Sequence, residues 1–113
     1  GSGLVATDDF RRDLVELMLA SVEAWERVTS TNRIELAQKS RIWRVNIDDG
    51  RLRARVMERY LSLGRIPGHP RWRDVVRTAY YVLGHCELEE DVRLSLKQRL
   101  DAVLALARRD ALS

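Results

Sequence analysis

Cys86 is the only thiol in the 113-residue chain, and His85 stands beside it. A cysteine activated by a histidine would be a nucleophile. Adjacent residues of a helix do not face each other, however. Cys86 also continues an apolar series from Trp72, Val76, Ala79 and Leu83, which marks it as a small buried residue. His69, His85 and Cys86 match no zinc spacing and have no evident fourth ligand. Glu87, Glu89, Glu90 and Asp91 form a carboxylate cluster, but acids gathered at a helix start are what the helix dipole favours. No GxGxxG, P-loop, GxSxG or HExxH sequence occurs, and no phosphate-cradling glycines are present. The expectation is therefore no enzyme, no metal, no cofactor and no small-molecule substrate.

The charged residues carry more information. The chain has 20 basic and 17 acidic residues, a net charge of +3. Eighteen of the basic residues are Arg, a bias that a GC-rich genome would also produce. Residues 1–45 are balanced and residues 86–113 nearly so; the excess lies between them. From Arg41 to Arg77 there are ten arginines (Arg41, Arg44, Arg51, Arg53, Arg55, Arg59, Arg65, Arg71, Arg73 and Arg77) against four acids. Arginine suits phosphates and guanine edges. Two helices joined through residues 64–69 could form a helix-turn-helix, with Arg71, Arg73 and Arg77 near the start of the recognition helix. The connection is longer than such a motif usually has, and Glu58 and Asp74 lie among the arginines.

Three Trp and three Tyr are a large aromatic load for a small domain. Tyr80 and Tyr81 are adjacent and cannot both point inward from one helix. Ile42 to Ile47 is apolar on more than one helical side around Trp43. Exposed aromatics beside arginine are the usual composition of interface anchors. Pro67-Gly68-His69-Pro70 contains a minimal PxxP, but its flanking arginines are misplaced for a docking ligand, and a turn before a helix explains it better.

The elements that would carry these groups are helical. Thr7 caps a first helix, Asp8 and Asp9 occupy its first turn, and Phe10, Leu14, Leu17, Met18, Ser21, Trp25 and Val28 recur at helical spacing. Asn32 and Glu35 resemble a capping box opening a second helix with Ile34, Leu36, Ala37, Ser40 and Trp43 on one side. Residues 42–47 alternate like a strand but are too few to decide, and a helix fraying into an extended link is favoured. Asp48-Asp49-Gly50 reads as a turn and cap before a third helix over residues 51–63, closed by Gly64. His69 caps, and Pro70 opens, a fourth helix ending near Gly84 and His85. A fifth begins at the acidic cluster and buries Leu88, Val92, Leu96, Leu100, Val103 and Leu104. Short connections imply antiparallel neighbours.

The expected architecture is all-α, a compact antiparallel bundle of five helices, six if the second breaks. One domain is expected over residues 7–112, behind a tail at residues 1–6 whose Gly-Ser-Gly opening looks like a cloning scar. Such a chain buries about two-thirds of its unfolded surface and needs no metal or disulfide to fold. A single Cys, no apolar run near 18 residues and no signal peptide point to an intracellular, cytoplasmic protein without a membrane span. The leading expectation is a protein–protein interaction module, an adaptor or self-association domain excised from a larger signalling or regulatory protein. Trp43, Tyr80 and Tyr81 would anchor a protein partner or another copy. Arg51, Arg55 and Arg59, sharing one face of the third helix, or Arg71, Arg73 and Arg77 would steer it. The alternative is a nucleic-acid-binding or transcription-regulatory domain using residues 41–77.

Overall fold

The computed structural model describes residues 7–112, so the expected tail at residues 1–6 lies outside the described residues. Five α-helices and one β-hairpin follow in the order α1 (Asp8–Thr29), α2 (Arg33–Ser40), β1 (Asn46–Asp48), β2 (Arg51–Arg53), α3 (Arg55–Arg59), α4 (Trp72–His85) and α5 (Glu90–Leu112). The all-α expectation holds, with the hairpin as its one exception.

α1 is the central helix, packed against α2, α4 and α5. Thr7 accepts a hydrogen bond from the Phe10 N–H at 3.1 Å, and the stripe from Phe10 to Trp25 is buried. Ser21 is buried on that stripe because its hydroxyl donates to the Leu17 carbonyl at 2.8 Å. Val28, expected to extend the stripe, is exposed. Ser30 turns left-handed (φ 56°) and returns its N–H to the Glu26 carbonyl. The Trp25 indole donates to the Thr31 hydroxyl at 3.0 Å, which fastens the chain end-on to the next helix.

Asn32 caps α2, accepting from the Ile34 and Glu35 N–H groups. The capping box is only half made, since the Glu35 carboxylate pairs with Lys39 at 2.9 Å. The helix stops at Ser40, where Arg41 turns left-handed (φ 59°). Trp43 is therefore delivered to the core from an extended link rather than from the helix.

The expected third helix is corrected most. Asp49 (φ 52°) and Gly50 (φ 75°) both take positive φ, the pairing that makes a two-residue hairpin turn match strand twist. Asn46 pairs with Arg53, Ile47 with Leu52 and Asp48 with Arg51. Arg51 and Leu52 thus belong to a strand, and the helix is confined to five residues that bury Met57. It ends at Tyr60, and Gly64 is not left-handed.

Residues 60–71 form a long connection held at three points. The Tyr60 hydroxyl, on a fully buried ring, accepts from the Arg71 N–H at 2.6 Å. Arg11 of α1 donates to the Ile66 carbonyl at 3.0 Å, and Arg59 to the Arg65 carbonyl at 3.4 Å. α4 begins at Trp72 with Arg71 as its cap, so His69 and Pro70 precede the helix instead of opening it. Along α5, Leu96, Leu100, Val103 and Ala107 join the shared core.

Candidate functional site

α4 has one face committed to the core and one committed to solvent. Val75, Val76, Thr78, Ala79 and Val82 are buried. At 100° per residue, Arg73, Arg77, Tyr80 and Gly84 fall on a single stripe opposite them, and all four are exposed. The helix rises about 1.5 Å per residue, so the stripe runs roughly 16 Å from Arg73 to Gly84. The Arg73 guanidinium lies over the Trp72 ring at 4.6 Å from its centroid, a cation–π contact that holds it along the surface. Arg77 reaches Asp74 at only 3.4 Å, with most of its side chain in solvent. The α4 N-cap makes no side-chain hydrogen bond, which leaves first-turn N–H groups facing outward.

Trp43 fixes how this helix sits. Its side chain is 3% exposed, its ring packs 5.1 Å from Tyr60, and its indole N–H donates to the Thr78 hydroxyl at 2.8 Å. Thr78 in turn donates to the Asp74 carbonyl at 2.8 Å. Every polar atom of this relay is satisfied. Trp43 is thus a core residue that positions α4, and the expectation of an exposed anchor there is corrected. Tyr81 is half-buried, with Trp25 at 5.9 Å and His85 stacked at 4.0 Å. Tyr80, 54% exposed, is the one expected aromatic anchor left at the surface.

The arginines divide into paired and unpaired groups. Arg51, Arg55 and Arg59 do not share a helix face, because Arg51 lies on β2 and only Arg55 and Arg59 lie on α3. Arg55, at the start of α3, pairs with Asp48 at the turn end of β1. Glu58, its side chain 12% exposed, receives Arg53 at 2.8 Å and Arg33 at 3.9 Å. The Arg53 hydrogen bond, helped by the nearby guanidinium charges, holds the Glu58 carboxyl below the usual range. Asp48, Glu58 and Asp74 are therefore each taken by an arginine. Among the described residues, Arg41, Arg44, Arg51, Arg59, Arg65, Arg71 and Arg73 have no carboxylate within 4.0 Å. The structure brings Arg73, Arg77 and Tyr80 together on α4, with Arg71 at its cap; it does not bring Arg51 or Trp43 onto that stripe.

Sequence reasoning missed Gly84 as part of the stripe, although the 73, 77, 80, 84 spacing is helical. It also missed the Trp43–Thr78 bond, which joins residues far apart in sequence and leaves no local signal. Cys86 is buried, and burial pushes its thiol pKa up, opposite to what a nucleophile needs. The His85 Nδ1 sits 2.9 Å from the Tyr81 carbonyl. Among the described residues, no group of three His, Cys, Asp or Glu side chains could hold a metal ion, and no helix is long and apolar enough to cross a membrane.

No protein-family model matches the chain, and no curated protein does. A solved structure matches it closely: the crystal structure of the DNA-binding domain from the sensor histidine kinase ChiS from Vibrio cholerae. The two share a TM-score of 0.85 and 33% sequence identity over 89% of this chain and 94% of that one. This likeness overturns the leading expectation of a protein–protein adaptor or self-association module, since the protein matched is a DNA-binding domain. The chain belongs to the same family as that ChiS domain.

Proposed function

We propose that this chain is a DNA-binding domain that lays the exposed stripe of α4 into the major groove. The observation that carries the proposal is the Arg73, Arg77, Tyr80, Gly84 stripe, set on a helix whose other face is locked into the core. The 33% identity to a DNA-binding domain supports it. A helix about 10–12 Å across fits a major groove about 12 Å wide. Arg73 and Arg77 reach guanine O6 and N7 or flanking phosphates. Tyr80 offers a ring edge to thymine methyls and a hydroxyl to phosphate, and Gly84 lets the helix backbone approach the duplex. The uncapped start of α4 and Arg71 receive a phosphate at the helix N-terminus. Glu58 has its arginine partners off this stripe, whereas Asp74 sits 3.4 Å from Arg77 in a solvent-exposed contact that a duplex phosphate or guanine would replace. The long connection departs from a compact helix-turn-helix, but its three hydrogen-bonded points keep the start of α4 in place.

Fluorescence anisotropy on a duplex of about 30 bp, across a salt series, tests the proposal. The wild-type chain should bind with an affinity that falls steeply with salt. Each lost phosphate contact lowers the slope by about 0.9, so Arg73→Ala with Arg77→Ala should lower it by up to about 2 and weaken binding at least tenfold. Arg108→Ala with Arg109→Ala removes the same charge from the end of α5 and should change little. Equal losses from both pairs, or none from the α4 pair, would overturn the assignment of α4.

A further inference from the structure

We infer that Trp72 is a positioning residue that presets Arg73 to read one guanine in the major groove. The inference rests on the DNA-binding reading above and names the base that α4 recognises. Trp72 is the first residue of α4. Its indole is half-buried and packs against the core. The Arg71 N–H just before it is bonded to the Tyr60 hydroxyl at 2.6 Å, which fixes the backbone at that point. The ring is thus a fixed plate at the edge of the exposed stripe. The exposed Arg73 side chain lies across it, its guanidinium 4.6 Å from the ring centroid.

A cation–π contact uses the face of the indole and takes up none of the five guanidinium N–H donors. Among the described residues no carboxylate lies within 4.0 Å of Arg73, so its fork is held in place and unspent. Arg77, one turn on, has no such plate; it touches Asp74 at 3.4 Å and otherwise stands in solvent. A mobile charge of that kind is sufficient for a phosphate. Guanine O6 and N7 are two acceptors in one plane, and they reward a guanidinium whose direction is already set. Residues at the start of a recognition helix are those that reach base edges, and Arg73 is the second residue of α4. Without the plate, the complex would have to order a long side chain, at a cost of about two- to tenfold in affinity. That cost falls only on duplexes carrying the guanine, because elsewhere the fork makes no bidentate bond. Loss of Trp72 therefore reads out as lost discrimination at constant charge.

The test uses the full chain and duplexes that the wild-type protein selects from a random pool, with each guanine then replaced in turn by another base or by deazaguanine lacking N7. Replacing one guanine by another base should cost the wild type about five- to 150-fold and cost Arg73→Ala almost nothing. Arg73→Lys keeps the charge and the salt slope but has no fork, so it should lose the guanine preference as Arg73→Ala does. Trp72→Leu should cut that preference about two- to tenfold at an unchanged salt slope, and Trp72→Phe, which keeps an aromatic face, should restore most of it. Trp72→Met stands in if Trp72→Leu loses its helical circular dichroism. On an Arg73→Ala background, Trp72→Leu should change nothing further. A merely structural Trp72 would instead weaken every duplex on both backgrounds, which overturns the inference. So does a wild type indifferent to loss of N7 at every guanine, or an Arg73→Lys that keeps the full preference. An Arg73→Ala that weakens all duplexes alike, with the salt slope lower by about 0.9, places Arg73 on a phosphate and overturns it too. A pool that yields no bound duplex fails the DNA-binding reading and this inference with it. If Arg73→Ala with Arg77→Ala binds like the wild type, the placement of α4 fails; if binding needs that pair but shows none of the guanine effects, the Trp72 inference falls alone.

Discussion

Replacing Thr78 by Val tests whether Trp43 is sealed into the core. Val keeps the shape of Thr but removes the oxygen that receives the Trp43 indole N–H at 2.8 Å. With Trp43 only 3% exposed, no water can take over, and an orphaned buried donor costs about 1–3 kcal/mol. The Asp74 carbonyl that Thr78 bonds keeps its place as a helix acceptor, so little is lost there. Trp43→Phe removes the donor instead and leaves a small void against Tyr60, for a similar cost of roughly 1–3 kcal/mol. The double variant has no unpaired N–H. It should therefore cost less than the two singles together, by about 1–2 kcal/mol of coupling. Urea unfolding, with the slope unchanged among the four proteins, measures all three costs. Additive singles, or a Thr78→Val cost under about 0.5 kcal/mol, would show that the indole N–H finds solvent. Trp43 would then be free to serve at the surface, and α4 would have lost its fixed seat.

Two further outcomes follow from the charge and backbone of the same region. Glu58→Gln removes the acceptor of Arg53, and because the folded-state Glu58 pKa is lowered, its contribution exists above the ordinary glutamate pKa of about 4.3 and disappears as pH falls through the lowered value. The variant should therefore melt a few degrees below the wild type at neutral pH, with the gap closing in acid, while its DNA affinity and salt slope rise as Arg33 and Arg53 are released. Gly84→Ala should stabilise the free protein by about 0.5–1 kcal/mol, since a Cβ there meets nothing within 4 Å, whereas Gly84→Leu should weaken DNA binding at least about tenfold without lowering the melting temperature; equal binding by both would remove Gly84 from the interface.

The long helices were legible because their signals are local. Thr7 with Asp8 and Asp9, the series from Phe10 to Trp25, and the acids before α5 each act within a turn or two, and the structure uses each of them as read. The region from residue 46 to residue 64 was not legible by the same means. Leu52, Val56, Met57 and Tyr60 imitate one helical face, but Asp49 and Gly50 both need positive φ, and that demand turns the chain into a hairpin before a helix can begin. Asp-Gly between apolar runs is the signal that deserved more weight than periodicity. Trp43 was misplaced for a different reason: its partners are Tyr60 and Thr78, and no pattern around residue 43 records them. Tyr80 and Tyr81 were read more nearly, since their adjacency alone requires one to face outward, as Tyr80 does.

The arginines that matter were also hidden by counting them together. Net charge over residues 41–77 describes a total, whereas binding a polyanion depends on which guanidiniums keep their charge uncompensated at the surface. Asp48, Glu58 and Asp74 each meet an arginine, so three of the four acids of the segment are spent on fastening the hairpin to α3 and steadying the first turn of α4, and Asp49 is left exposed at the turn. Such short pairs gain from being within a few ångströms of each other, and they project little field outward. The unpaired arginines lie on the link, the hairpin, the end of α3, the long connection, and the cap and first turn of α4, and the link and the connection are bonded to one another and to α4 through Trp43, Tyr60 and Thr78. With salt screening charge over about 8 Å, only arginines held in that one assembly can act on the same stretch of phosphates. The buried indole of Trp43 thus has an electrostatic consequence, because it ties the link that carries Arg41 and Arg44 to the helix that carries Arg73 and Arg77.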